Sequence, residues 1–144
     1  MVEIVDMDIR EIIFLLQEVD YAHLACARCN HPYVIPIHYV YREPFIYIFT
    51  TEGKMTDILA YNPEVCIQVE KVISASQWRS VILIGEVQRI VEDAERDEAM
   101  AIIRERNPAL TPAKSRNWRD VWGFQHVEVI YRIQPDAISG RKTL

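Results

Sequence analysis

The sequence predicts a mostly β domain with flanking helices, in which about six antiparallel strands close into a barrel. Two β-rich runs, YVIPIHYVY (residues 33–41) and FIYIFTT (residues 45–51), are joined by the tight turn Arg42-Glu43-Pro44 and read as a hairpin. Both runs are apolar on alternate and on intervening positions, so both faces of their sheet are covered, as in a closed barrel with something packed outside it. No internal repeat, low-complexity tract or long linker interrupts the 144 residues, which read as a single domain, 1–144.

The first element is a helix. Ile9, Ile12, Ile13, Leu16 and Val19 recur at helical spacing, and Asp6 or Asp8 can cap it. Residues 21–27 are short and β-like, and the polar break 28–31 leads into the hairpin. After it Gly53 offers a turn, residues 54–61 make about two helical turns, and Asn62-Pro63 ends them. Residues 65–72 are a strand. Residues 80–90, SVILIGEVQRI, are a long one, with Gly85 near the middle where a barrel strand bends or another group approaches. Residues 93–106 form a helix with Asp93 at its cap and Ala99, Met100, Ile102 and Ile103 on its apolar side; Asn107-Pro108 stops it. A loop with Trp118, Trp122 and Phe124 precedes a last strand, residues 127–134. There Val127, Val129, Tyr131 and Ile133 alternate with Glu128, Arg132 and Gln134.

Composition bounds the function. Half of the residues are apolar, and a chain this long hides roughly two-thirds of its unfolded surface without staples. The net charge of −5 argues against a nucleic-acid partner, since neutralising phosphates calls for a basic surface. The start, MVEIVDMDIREI, has no basic-then-apolar signal pattern, and no apolar run approaches the roughly 18 residues of a membrane span. The expected compartment is therefore the cytoplasm, with no membrane partner. Of three cysteines, Cys26 and Cys29 form a C-x-x-C and Cys66 stands apart. A structural zinc site needs further ligands at suitable spacing, and no second C-x-x-C accompanies His23 and His31. A reduced thiol pair at a hairpin is the plain reading, with zinc or redox use as its rival.

The stretch Phe49-Thr50-Thr51-Glu52-Gly53-Lys54 is the most informative. A strand ends in hydroxyls, a glycine turns the chain, and a lysine opens a short helix. Free N–H groups and the partial positive charge at a helix start attract an anion, the threonines can donate to it, and Lys54 adds a full charge. A phosphate monoester, carrying roughly −1.5 to −2 near neutral pH, suits such a place. The alternative is an ordinary turn with a solvated lysine. Arg79, just after Trp78 at the head of the 80–90 strand, can fork onto the same phosphate or sit in a surface ion pair.

Taken in order, YVIPIHYVY, FIYIFTTEGKMTDILAYNPEVCIQVE, WRSVILIGEVQRI and a closing strand with ISGRK resemble the pyridoxamine 5′-phosphate oxidase-related FMN-binding family. Within it the chain is more similar to the nitroimidazole-resistance-type flavoproteins than to the oxidase itself. The resemblance runs from residue 9 to residue 142; its most specific piece is the hairpin with TTEGKMTDILAYNPEV, supported by the spacing of Arg79, Val81 and Gly85. It implies a six-stranded antiparallel split β-barrel and a homodimer with FMN at the subunit interface. By position it implies Pro36, Ile37 and His38 along the isoalloxazine ring, Phe49, Thr50 and Thr51 near the ribityl chain and phosphate, and Gly53 and Lys54 at the phosphate. Arg79 is implied as a contact from a strand that can face the neighbouring subunit's flavin. Two departures stand out. The oxidase has two adjacent basic residues in its phosphate turn, whereas Lys54 is followed by Met55, and its C-terminal basic and aromatic substrate residues have no counterpart.

The resemblance therefore implies a flavin-dependent oxidoreductase, moving hydride or electrons through FMN to a small planar substrate, with the cofactor supplying the difficult chemistry. The sequence shows no Ser-His-Asp set, no paired carboxylates and no full metal-ligand set. With only Gly53, Gly85, Gly123 and Gly140, it has no G-x-G-x-x-G, so NADH or NADPH would bind only in passing as donor. Two other readings stay open: a flavin-binding or storage protein without turnover, and a haem-binding split barrel. His38 bears on both, as a flavin contact, a haem ligand or a satisfied core histidine. Trp118 and Trp122 could cover a flavin face, and His126 could cap the last strand.

Overall fold

The computed structural model describes residues 1–106 and 128–144. In them the chain forms β1 (Ile4–Asp6), α1 (Ile9–Glu18), β2 (Tyr21–Arg28), β3 (His31–Arg42), β4 (Phe45–Thr51) and α2 (Lys54–Tyr61). There follow β5 (Glu64–Ser74), β6 (Gln77–Arg89), α3 (Asp93–Arg106), β7 (Glu128–Ile133) and β8 (Ala137–Thr143). The loop tryptophans, Phe124, His126, Val127 and the Asn107-Pro108 stop lie outside the described residues.

The sheet runs β1-β8-β6-β5-β2-β3-β4-β7, and β6 also pairs with β7. That extra pairing closes β6-β5-β2-β3-β4-β7 into a ring, the six-stranded antiparallel split barrel that was expected. The split lies along β6, which gives residues 79–84 to β8 and residues 87–89 to β7. Gly85 stands between the two. A Cβ there would meet the Gln134 carbonyl oxygen at 3.1 Å and Pro135 Cα at 3.3 Å, so the crossing from β7 to β8 lies against bare backbone, as its position in the strand predicted. Strands β1 and β8 extend the sheet beyond the ring and were not counted from the pattern. AISGRKT has no apolar alternation, and three residues of β1 are too few to show any.

The barrel interior collects Leu24, Ile46, Ile48, Ile67, Val69, Val81, Leu83, Val129 and Ile133, none more than 1% exposed. Each such side chain contributes about 1.5–3 kcal/mol on burial. Helix α1 packs Ile12, Leu15 and Leu16 against this cluster, and α2 packs Met55, Ile58 and Leu59. Asp8, not Asp6, caps α1: its carboxylate accepts from the Glu11 N–H at 2.9 Å while Glu11 reaches back to the Asp8 N–H. The Tyr39 hydroxyl, donating to the Leu16 carbonyl at 2.8 Å, ties the helix end to β3. The covering expected outside the hairpin is α3, whose Ala99 and Ile103 pack on Val40, Tyr47, Phe49, Ile90 and Ile130.

The C-x-x-C spans the β2–β3 turn. Cys29 and Asn30 both have left-handed backbone (φ 52° and 63°), as a two-residue hairpin connection requires. Cys26 is buried in the core, where burial pushes its thiol pKa up, while Cys29 is exposed at the tip; both are free thiols.

Candidate functional site

The site grows from a fork between β3 and β4. These strands pair only from Tyr39↔Ile48 to Arg42↔Phe45. Before that point β3 pairs with β2, and beyond it Phe49, Thr50 and Thr51 continue along β7. Pro36, Ile37 and His38 therefore leave the fork on one arm, and Phe49, Thr50 and Thr51 on the other, with the Gly53-Lys54 turn following the second.

Strand alternation then sorts the side chains. Ile37 points into the barrel core, whereas Pro36 and His38 are exposed on the outer face. His38 is thus not a core histidine. Its Nδ1 lies 3.3 Å from the Asp20 carbonyl oxygen, which can only accept, so Nδ1 donates and the neutral ring keeps Nε2 as an acceptor. Phe49 packs under α3 with 8% exposure, and what it offers the fork is main chain. Thr50 and Thr51 are half-buried at the end of β4.

The turn after β4 is closed from within. The buried Thr56 hydroxyl accepts from the Gly53 N–H and donates to the Gly53 carbonyl, both at 2.8 Å, and the Asp57 N–H reaches the same carbonyl at 3.0 Å. Gly53 has extended backbone and open space around its Cα. Its two charged neighbours diverge. Glu52 accepts from Arg89 Nη2 at 2.5 Å. Partial burial raises the Glu52 pKa, but the hydrogen bond from Arg89 and the Arg89 charge help to hold it below its ordinary value. Lys54 is exposed and makes no ion pair among the described residues; its ammonium stands 4.9 Å from the centre of the Tyr33 ring.

Lys54 borders a cleft of about 460 Å³ lined also by Arg28, Cys29, His31, Pro32, Tyr33, Asp57 and Ile58. Across it the Arg28 guanidinium lies 3.4 Å from the centre of the Tyr61 ring, so both side-chain cations rest on aromatic faces. The Asn62 amide, donating to the Ala27 carbonyl at 2.9 Å, fastens the end of α2 beside β2 and so brings Tyr61 to Arg28. Nothing in the sequence marks Arg28, His31 or Tyr33 as flavin-site residues. The break at residues 28–31 reads as a loop, and nothing local shows that it faces α2.

Arg79 is elsewhere. It lies within β6 rather than at its head, paired with Lys71 on β5 and Lys142 on β8, which lines three cations across three strands. Glu18 accepts from Arg79 Nη2 at 3.1 Å and also pairs with Lys71, while Glu11 pairs with Lys142. Lys71, Arg79, Lys142 and Trp78 border a smaller cleft of about 190 Å³ that shares no lining residue with the Lys54 cleft. One chain thus does not bring Arg79 to Lys54. Among the described residues no cluster of His, Cys, Asp and Glu could hold a metal ion, and no helix is long and apolar enough to cross a membrane.

Comparison with known proteins agrees with this architecture. The profile of the family described as pyridoxamine 5′-phosphate oxidase matches residues 8–142. An uncharacterized protein of Rhizobium meliloti is 28% identical over 135 residues, covering 85% of this chain and 83% of its own length. The crystal structure of an FAD-binding protein from Mesorhizobium loti shares the fold with a TM-score of 0.76 at 24% identity, over 100% of this chain and 99% of that one. A candidate 5-nitroimidazole antibiotic resistance protein from Bacteroides thetaiotaomicron shares it with a TM-score of 0.75 at 19% identity, over 99% of this chain and 89% of that one. With a match of that extent and a barrel of this topology, the chain belongs to the pyridoxamine 5′-phosphate oxidase family.

Proposed function

We propose that the chain binds a flavin nucleotide, FMN, and acts as a flavin-dependent oxidoreductase. The observation that carries this reading is Lys54: a cation at a helix start, without a carboxylate partner among the described residues, bordering a cleft with Arg28 on its other side. A phosphate supplies the anion that such a place lacks. In this reading Lys54 and Thr51 hold the phosphate beside the open space at Gly53, Thr50 and the Phe49 main chain follow the ribityl chain, and Pro36, the Ile37 main chain and His38 border the isoalloxazine ring. The outward Nε2 of His38 then accepts from a ring N–H. The Mesorhizobium loti structure is described as that of an FAD-binding protein, which supports a flavin as the guest without selecting FMN.

When bound, the flavin supplies the hydride or electron transfer; the chain positions it and limits what reaches it. NADH or NADPH acts as a transient donor. Pyridoxamine 5′-phosphate is not the proposed substrate. The position after Lys54 faces the core, where Met55 is 4% exposed, so the turn offers one cation and not two.

The proposed assembly is a homodimer with FMN at the interface. In one chain the outer barrel face leaves Val34 and Ile84 exposed at 61% and 50%, surface that a second copy would cover. Arg79 could meet a flavin only across that boundary.

Titration of flavin fluorescence tests the reading. FMN is expected to bind with micromolar or better affinity, about −8 kcal/mol or more favourable, and riboflavin much more weakly. Equal affinity for both would remove the phosphate from the Lys54 turn. A haem spectrum in protein purified without added cofactor would overturn the flavin reading, and absence of NADH or NADPH turnover would leave a carrier. Light scattering that shows a monomer with FMN bound would overturn the assembly.

A further inference from the structure

The turn that carries Lys54 also carries a carboxylate. Glu52 lies between Thr51 and Gly53, among the residues that the proposed function assigns to the phosphate. Pointing outward, it would set a negative charge beside a near-dianion. Instead it is turned toward β6, where Arg89 Nη2 donates to its Oε1 at 2.5 Å. Barrel closure makes this possible: Arg89 pairs with Tyr131 on β7, and Tyr131 pairs on its other side with Ile48 of β4, the strand that leads into the turn. The two ion-pair side chains are 39% and 43% exposed, so as a surface pair they contribute little to folding. What the pair does control is where a charge next to the phosphate turn points.

We propose that Arg89 is a positioning residue for nucleotide binding: by holding Glu52 toward β6, it keeps the turn's own carboxylate off the phosphate and leaves Lys54 as the charge the phosphate meets. The inference rests on the flavin-nucleotide reading, and it makes Arg89 a determinant of phosphorylated over unphosphorylated flavin. Asp57, the carboxylate lining the Lys54 cleft, is unaffected by the exchange and serves as constant background.

The test is to titrate FMN and riboflavin side by side into the wild-type protein, Arg89→Gln, Arg89→Lys and the double variant Glu52→Gln/Arg89→Gln. Ligand-free melting is followed in each. Arg89→Gln is expected to weaken FMN about tenfold, the scale of one like-charge contact at partly solvated distance, and to leave riboflavin unchanged. Arg89→Lys restores FMN binding by restoring the pair, and the double variant restores it by removing the carboxylate. Added salt shrinks the Arg89→Gln defect. An unchanged FMN affinity in Arg89→Gln, an equal loss of both flavins, or a double variant as weak as Arg89→Gln would each overturn the proposal. Should Arg89→Gln not fold, Arg89→Met carries the same expectations. A wild-type protein that does not distinguish FMN from riboflavin would overturn the functional reading itself; a preference that Arg89→Gln retains would overturn only the role of Arg89.

Discussion

Lys54 and Arg79 are both basic residues beside a cleft, yet their charges are used differently. Arg79 sits in a row with Lys71 and Lys142 across three paired strands, an arrangement in which like charges directly opposite one another repel. Helix α1 answers the row with Glu11 and Glu18, about two turns apart on the same helix face. These ion pairs supplement the packing of Ile12, Leu15 and Leu16, so the Arg79 region is where charge fastens a helix to the barrel. Lys54 has no such partner among the described residues, and its acidic neighbour Glu52 is drawn away by Arg89. A charge paired within the chain belongs to the architecture; a charge held on an aromatic face and left unpaired is available to a ligand.

The comparison can be broken most directly at Lys54. Lys54→Met is expected to weaken FMN by about 1.5–3 kcal/mol, the range for a hydrogen bond to a charged group, or roughly ten- to a hundredfold. Ligand-free melting should hardly move, since an exposed cation at a helix start adds little stability. If FMN affinity is unchanged in a folded variant, the turn is only a turn and the two regions do not differ in kind.

Glu18→Gln sharpens the other side. It leaves Lys71 and Arg79 without their shared anion, so melting temperature should fall while FMN affinity holds. The Glu18 pKa is lowered, chiefly by the Lys71 hydrogen bond, against partial desolvation and with help from the charges of Lys71 and Arg79. A carboxyl with a depressed folded pKa contributes stability that is fully present above its unfolded value and lost as pH falls through the folded value. Wild-type melting should therefore decline more steeply than that of Glu18→Gln as pH drops below 4.5, the ordinary glutamate value. Parallel pH profiles would mean that Glu18 does not anchor α1.

The smallest effect is expected from Arg79→Met, because Lys71 keeps Glu18. Melting should fall less than in Glu18→Gln, and FMN affinity less than in Lys54→Met. A loss of FMN affinity as large as that of Lys54→Met would place both cations on one phosphate across the subunit boundary and dissolve the contrast.

Much of this is legible in the sequence, and unevenly so. The helix of residues 54–61 matches α2 to the residue, because a glycine turn and Asn62-Pro63 punctuate it locally. The hairpin and the close approach at Gly85 could be read for the same reason. Strand β8 could not, since its pairing is carried by backbone groups that every residue type possesses. At the site, the sequence marked Lys54 as a cation at a turn but did not show Arg28 across the cleft or the ring of Tyr33 beneath it.

By itself, then, the sequence determined the three helices, the six strands of the ring and their order, because alternation, capping and turn chemistry act over a few residues. Only the tertiary structure decided which charges are paired. Glu18 meets Arg79 from 61 residues away and Glu52 meets Arg89 from 37, and those meetings follow from how α1 docks and how β6 closes on β7. Coulomb energy depends on distance in space and not along the chain, so the difference between an anchoring cation and an available one exists only once the barrel has closed.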